Sequence, residues 1–409
     1  MQYRWVLLFL LLVGVGALGS AFVGPDDVGE RQEPPREQLL QPADSGTYVW
    51  PYTSRSRSVE GRTLALNVVI VGTPREVHSV LTDRSELEWS TADGDQGLND
   101  SRSVSPWRSA RGAARYTYVG TDADDGRWVE SEYQLATGTY LGSRTHIRAY
   151  PGPSDEWTAL QTHTEYWDWY RLRHSVTGVT EGARTLEGDL RNEPFIDSVS
   201  RVYHGHGGGG SDGWMTVIEL TAAARVVSAD PVENSLVPTP VGGIESVPVV
   251  ALAAAPLVAR LARRIPPARR EAARDAVLPL VLVGIVLGVR SVGIAAEGLF
   301  PAANPKLFAG VLYPLLIVAP LGATILLGRG RPATRSALLA AAGLGAGFVL
   351  DLGAVGVTVV PVRLVLHRTA LVGALGLFTL GVARGDRRTV AAGLLAWVGF
   401  LVGSLFGIV

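Results

Sequence analysis

Seven apolar stretches constrain this chain more than any other feature of its sequence, because a helix that is hydrophobic on all sides needs a nonpolar solvent. At ~1.5 Å per residue, about 20 such residues cross a hydrocarbon core of about 30 Å. Trp5–Val23 opens the chain behind Arg4. It reads as a transmembrane anchor or, because it ends in the small residues GALGSAFVG, as a signal peptide. Either one exports the polar segment after it. The other six are Val247–Leu261, Ala276–Leu299, Leu307–Leu327, Ala337–Val359, Leu364–Val382 and Thr389–Val409. They predict an all-α polytopic membrane domain of six helices over residues 237–409. Val247–Leu261 is short for a crossing; it either starts nearer Val237 or lies in the interface as a basic amphipathic helix.

Basic clusters set the orientation, since Lys and Arg are retained on the cytoplasmic side. Arg4, Arg260–Arg274 (RLARRIPPARREAAR), Arg329–Arg335 (RGRPATR) and Arg384–Arg388 (RGDRR) fall in alternate loops. The expected protein is therefore a multi-pass component of the cell membrane with residues 24–246 extracellular. The formal net charge of −1 conceals a split. Residues 24–246 carry 33 Asp/Glu against 20 Arg, net −13, and the rest carries 17 Arg/Lys against 5 acids, net +12. An exported part this acidic excludes nucleic acid as a partner, because phosphate recognition needs the opposite charge. Lys306 is the only lysine, which fits a salt-loving, GC-rich source, although GC content alone accounts for the Arg bias. With no Cys, disulfides and thiolate metal sites are excluded.

Residues 24–47 are charged, Pro-containing and without apolar period, which marks a linker. The exported domain is expected over 48–236. Leu64–Val71 (LALNVVIV) is a buried-strand run, Thr73 is a helix N-cap and Pro74 takes the first helical position. Val77, Val80 and Leu81 give that helix its apolar side, and it stops near Trp89. Tyr116–Val119 and Trp128–Leu135 form a hairpin over an acidic turn, and His146–Tyr150 and Trp157–Trp169 are further strands. Val179–Leu190 is a second helix and Gly213–Leu220 a last strand. The order predicts an α+β fold, a ferredoxin-like β-α-β-β-α-β sandwich with an extra hairpin.

LNVVIVGTPREV, RTHIRAY and WDWYRLRHSVTGVTEGARTLEGDL occur in an order that resembles the LssY C-terminal-domain family, over roughly Tyr48–Thr221. The resemblance rests on Asn67, Gly72 and Trp89, then His146 and Arg148, then His174, Glu181, Arg184 and Asp189. Glu88 stands where the family has Gly, Thr145 where a second His is common, and Ala183 at a usual Glu. These departures weaken any shared catalytic set. Some relatives join this domain to lipid-phosphatase-like membrane parts, so the resemblance implies envelope lipid or polyprenyl-phosphate chemistry.

Six of the seven histidines lie in the exported part. His146 and His163 sit on adjacent predicted strands and His174 comes soon after, so three imidazoles with Asp168 or Glu165 form a weak candidate zinc site. Ordinary strand histidines hydrogen-bonded to neighbours are the plainer alternative. No cofactor is demanded by any motif. His204-Gly-His206 before GGGGSDG lacks the Lys-Ser/Thr of a nucleotide loop. Arg148 could clamp an anion with His146 and His174 as acid/base groups, and Glu181, Arg184 and Asp189 could line a binding site. In the membrane half, Arg290 and Asp351 fall at similar depth and should pair. Glu297, Arg363, His367 and Arg368 lie toward the outer boundary and complete a candidate polar pocket.

The sequence supports three classes of function. The leading one is a membrane protein that presents an extracellular domain to ligands or partners at the envelope, namely membrane lipids and other envelope or secretion proteins. The second is an outer-leaflet hydrolase acting on phosphorylated lipid or polyprenol, although no phosphatidic-acid phosphatase signature is present. The third is a transporter or channel component, although no inverted repeat is visible.

Overall fold

The computed structural model describes residues 39–42, 46–53, 64–91, 116–121, 126–153, 155–205, 211–226, 267–357 and 360–405. The expectations for Trp5–Val23, most of the linker, Val247–Leu261 and the glycine run after His206 lie outside these residues. Among the described residues the strands are β1 (Tyr48–Val49), β2 (Val68–Val71), β3 (Ser90–Thr91), β4 (Tyr116–Gly120), β5 (Gly126–Glu130) and β6 (Tyr133–Gly138). They continue with β7 (Ser143–Pro151), β8 (Thr158–Asp168), β9 (Arg173–Gly178), β10 (Ile196–Tyr203) and β11 (Trp214–Leu220). Helix α1 (Pro74–Ser79) comes after β2, α2 (Val179–Leu190) after β9, and the single turn α3 (Ala222–Val226) after β11.

The run VVIV of β2 is β-branched throughout and nearly all buried, so it fits only the middle of a sheet. The large sheet runs β10-β11-β2-β8-β7-β6-β3, and β9 joins β8 beyond the end of β2. Four strands of the expected sandwich lie side by side as β11-β2-β8-β7. The direction of β11 departs from a ferredoxin-like sandwich: it runs parallel to β2. The reason is β10, which carries the chain back along the sheet edge after α2 and turns it into β11 as a hairpin. The expected single hairpin also divides. Its strand breaks at Ser131–Glu132, leaving β5 paired to β4 in a small β1-β4-β5 sheet, while β6 enters the large one.

The large sheet is covered on both faces. Val68, Ile70, Ile147, Ala149 and Leu160 pack against Val77 and Leu81 of the α1 segment and Ala183, Leu186 and Leu190 of α2. Val69, Tyr150, Ala159 and Met215 point the other way, onto Val49 and Val119 of the small sheet. Helix α1 starts as expected: Thr73 accepts from the Glu76 amide at 3.2 Å and Glu76 accepts from the Thr73 amide at 2.7 Å, closing a capping box. It then widens into a π turn, Val80–Arg84, and ends at Ser85, short of Trp89.

Two of the contacts that bind α2 to the sheet involve β8. Asn67, 2% exposed, uses its whole amide. Its Nδ2 donates to Thr162 O and Val179 O at 2.8 Å, and its Oδ1 accepts from the Thr162 amide at 2.9 Å and the Thr162 hydroxyl at 3.1 Å. At Gly182 the helix backbone lies against His163, where an added Cβ would come within 2.6 Å of backbone atoms.

Among the described residues the C-terminal part has five helices, each long and apolar enough to cross a membrane: α4 (Pro267–Leu299), α5 (Pro305–Leu327), α6 (Ala333–Ala354), α7 (Val362–Arg384) and α8 (Arg387–Leu405). This is a membrane-embedded bundle. Helix α6 stops before the apolar stretch does, at Val355 with Gly356 left-handed (φ 72°). Close backbone approaches hold neighbours together, Gly343 against Pro279 and Gly393 against Phe378, as expected where small residues replace a hydrophobic driving force. At one end Arg331 pairs with Asp275, and Arg335 with Glu271 and Asp275.

Replacing Asn67 by Ala should lower stability by about 2–4 kcal/mol, because backbone groups of β8 and α2 lose their partners in a site closed to water. Thermal unfolding of the purified full chain in detergent measures it; an unchanged midpoint would remove Asn67 as the tie between sheet and helix.

Candidate functional site

Alternation along β7 and β8 puts Arg144, His146, Arg148 and Tyr150 on one face beside Gln161, His163, Glu165 and Trp167. This is the face turned away from α1 and α2. His146 and His163 are register partners, with ring centroids 5.0 Å apart and ring planes at 89°. His163 Nδ1 is 3.1 Å from Gln161 Oε1 and Nε2 is 3.2 Å from Glu165 Oε2. Arg144 holds the other carboxylate oxygen, Oε1, at 2.6 Å. His146 is fully buried, and neither of its nitrogens has a hydrogen-bond partner among the described residues. Burial pushes both imidazoles below their ordinary range, although Glu165 opposes the shift. Burial alone would raise the Glu165 carboxyl, but the contact with the His163 ring and the neighbouring His146 and His174 hold it well below the usual carboxylate range.

The remaining predicted residues go elsewhere. His174 is on β9, opposite Trp167, and its Nε2 is 2.9 Å from Tyr140 O. Two strand spacings and four residues separate it from His146, roughly 16 Å on a regular sheet. One reacting atom does not touch both. Arg148 lies on the His146 face, partly exposed, with Nε unpaired among the described residues. Glu181 and Arg184 are exposed on α2, beyond the opposite face of the sheet. Asp189, on the same helix, is a clamp: it accepts from the Leu87 amide and from Trp89 Nε1, each at 3.0 Å. The sheet therefore stands between the His146–Arg148 group and the Glu181–Arg184–Asp189 group.

The expected membrane pocket is a docking surface. Arg290 and Asp351 pair in a two-pronged contact, and the guanidinium also donates to Leu141 O at 2.9 Å and Trp167 O at 3.1 Å. Glu297 accepts from the Tyr140 and Leu141 amides at 2.6 and 2.9 Å. Arg368 pairs with Asp168 and stacks over the Tyr170 ring at 4.4 Å. Ser404 donates to Tyr170 O at 2.9 Å, and His367 Nε2 lies 3.3 Å from Phe400 O. Arg363 falls in the first turn of α7. Two turns of the sheet domain are thus received by the bundle: that between β6 and β7 through Tyr140 and Leu141, and that between β8 and β9 through Trp167–Tyr170.

Apolar contacts complete the joint. Tyr140, Leu141, Trp167, Trp169 and Tyr170 belong to one core with Val289, Phe348, Leu371 and Leu401. An added Cβ at Gly293 would meet the Trp169 ring at 2.7 Å, and one at Gly142 would meet Ile294 at 3.0 Å. Asp168–Arg368 is the contact that sequence reasoning missed as a pair. The signal available was an acid next to WYRLR on one side and an Arg in the early turns of an apolar helix on the other, 200 positions apart.

No protein-family model matches the chain, and neither the curated proteins nor the solved structures include a significant match.

Removing either Asp168 or Arg368 leaves a buried charge without its partner, so Asp168→Ala and Arg368→Ala should each cost about 3–5 kcal/mol. The double variant should lose less than the sum. Unfolding midpoints of the four proteins in detergent complete the cycle, and additive losses would show that the pair is not coupled.

Proposed function

We propose that this protein is an envelope component in which a membrane bundle holds an extracellular sheet domain rigidly in place for contact with a ligand or partner. The observation that carries this reading is the docking of the sheet domain: Arg290, Asp351, Glu297 and Arg368 are engaged in holding it. Charges inside a membrane are costly and are ordinarily kept for a task. Here they are directed at two turns of the domain rather than at a path between helices, which counts against transport.

Sidedness draws support from charge. The sheet domain meets the ends of α4, α6 and α8 and the start of α7, whereas Arg274, Arg331, Arg335, Arg384, Arg387 and Arg388 gather at the opposite end of the bundle. By the positive-inside rule the arginine end is cytoplasmic and the sheet domain is outside. This orientation requires a crossing between Val226 and Pro267, the role expected of Val247–Leu261. The resemblance to the LssY C-terminal-domain family belongs to the same reading, since that domain is also joined to membrane helices. An interaction surface is offered by β10, an edge strand among the described residues, and the start of β11, where Tyr203 and Trp214 are 53% and 44% exposed with ring centroids 5.2 Å apart and planes tilted by 59°.

The enzymatic alternative needs acid/base groups that meet a substrate together. His146 and His174 are held apart and His146 is enclosed, so the lipid-hydrolase reading lacks a paired site.

Because the native chain has no Cys, single substitutions report sidedness cleanly. Gly188→Cys on α2 should react with an impermeant maleimide in intact cells, and Arg388→Cys only after permeabilisation. The reverse pattern would place the sheet domain in the cytoplasm.

A further inference from the structure

The cluster His146–His163–Glu165 has a proton problem that fold stability alone does not resolve. Gln161 Nε2 donates to Thr162 O at 3.1 Å, which turns its Oε1 toward His163 Nδ1. Nδ1 therefore carries the hydrogen. In a neutral imidazole the lone pair is then on Nε2, and it faces Glu165 Oε2 at 3.2 Å. A lone pair and a carboxylate oxygen repel each other unless a positive species lies between them. Next to this pair stands His146, fully buried, with both nitrogens unpaired among the described residues. A buried polar group without a partner costs about 1–3 kcal/mol, so an unpaired imidazole beside an acceptor pair calls for an explanation.

We propose that His146, His163 and Glu165 form a binding site for a divalent transition-metal ion of the zinc class. One nitrogen of His146, Nε2 of His163 and Oε2 of Glu165 supply the ligands; the three residues offer atoms within 4.8 Å of one another. Two imidazoles and one carboxylate are a donor set that suits zinc or cobalt and ill suits calcium or magnesium, which take oxygen. The outer contacts are those of a supported site. Gln161 fixes the tautomer and ring orientation of His163, and Arg144 grips Glu165 through Oε1, leaving Oε2 to the ion. Arg144 and Arg148 oppose a cation nearby, so affinity should fall below that of thiolate sites.

A tie between β7 and β8 at this point has a structural use. The same two strands run directly into the turns that dock on the bundle, at Tyr140–Gly142 before β7 and at Trp169–Leu172 after β8. An ion there would stiffen the sheet between its outer end and the membrane. This does not depend on which side of the membrane the domain faces.

The test uses the full chain purified in detergent without metal-affinity steps, stripped with a chelator and titrated with Co²⁺, then displaced with Zn²⁺. Uptake of one equivalent with the visible bands of four-coordinate cobalt, and a higher unfolding midpoint with Zn²⁺, are expected. His146→Ala and Glu165→Gln should each weaken binding by more than about tenfold, while His174→Ala keeps it. Glu165→Gln preserves shape, so it decides the matter if His146→Ala fails to fold. Uptake well under one equivalent by folded wild-type protein would overturn the proposal and leave a protonated His163 as the species between the two acceptors. Binding that survives both substitutions would overturn it equally, as an ion held elsewhere.

Discussion

The structure depends on the burial of charge where the sheet domain meets the membrane helices. Arg290 is the pivot, contacting Asp351 on α6 and the carbonyls of Leu141, in the turn before β7, and Trp167, at the end of β8. A guanidinium placed at that depth is tolerable only when its donors are occupied, and a planar fork with five N–H groups can serve several acceptors at once. Glu297 does the complementary work with backbone amides, and Arg368 binds a carboxylate contributed by the domain itself. Each group would be costly without the other module. The two modules are therefore tied by unfavourable alternatives as much as by contact, and the aromatic residues at the turn tips add apolar burial to the same joint.

Much of this architecture is legible in the sequence for local reasons. The five apolar stretches that fall among the described residues form helices because length and hydropathy decide them, and the Thr73-Pro74 start of α1 is foreseen because capping is a matter of adjacent residues. Strands β2, β7 and β8 announce themselves through β-branched and aromatic runs. By contrast β10 (IDSVSRVY) is polar at half of its positions and mostly exposed, as an edge strand among the described residues, and its apolar residues follow no period of two. Its omission is why the direction of β11 is not foreseen. The break between β5 and β6 is equally silent, since no Gly or Pro marks the two residues where the chain changes sheets.

The candidate sites are legible to different degrees for the same reason. Arg290 with Asp351 is readable because helical rise sets the depth of each. That the pair receives a sheet domain is not readable, as the carbonyls it binds come from residues more than 120 positions away. His146 and His163 are readable as neighbours because strands alternate. Proximity in sequence groups His174 with them, but β9 hangs from the far end of β8 and carries it away. Glu181, Arg184 and Asp189 fall beyond the sheet because a helix that packs on one face cannot also serve the other.

Direct evidence for the joint would come from a cross-link made in native membranes. In a chain without Cys, Gly142→Cys and Ile294→Cys introduce two thiols across the interface at the point where the turn between β6 and β7 rests on α4. Mild oxidation should consume both thiols together, so that neither reacts with maleimide until a reductant is added. If both thiols stay reactive after oxidation while each single variant is labelled normally, the sheet domain is not seated on the bundle and the account fails.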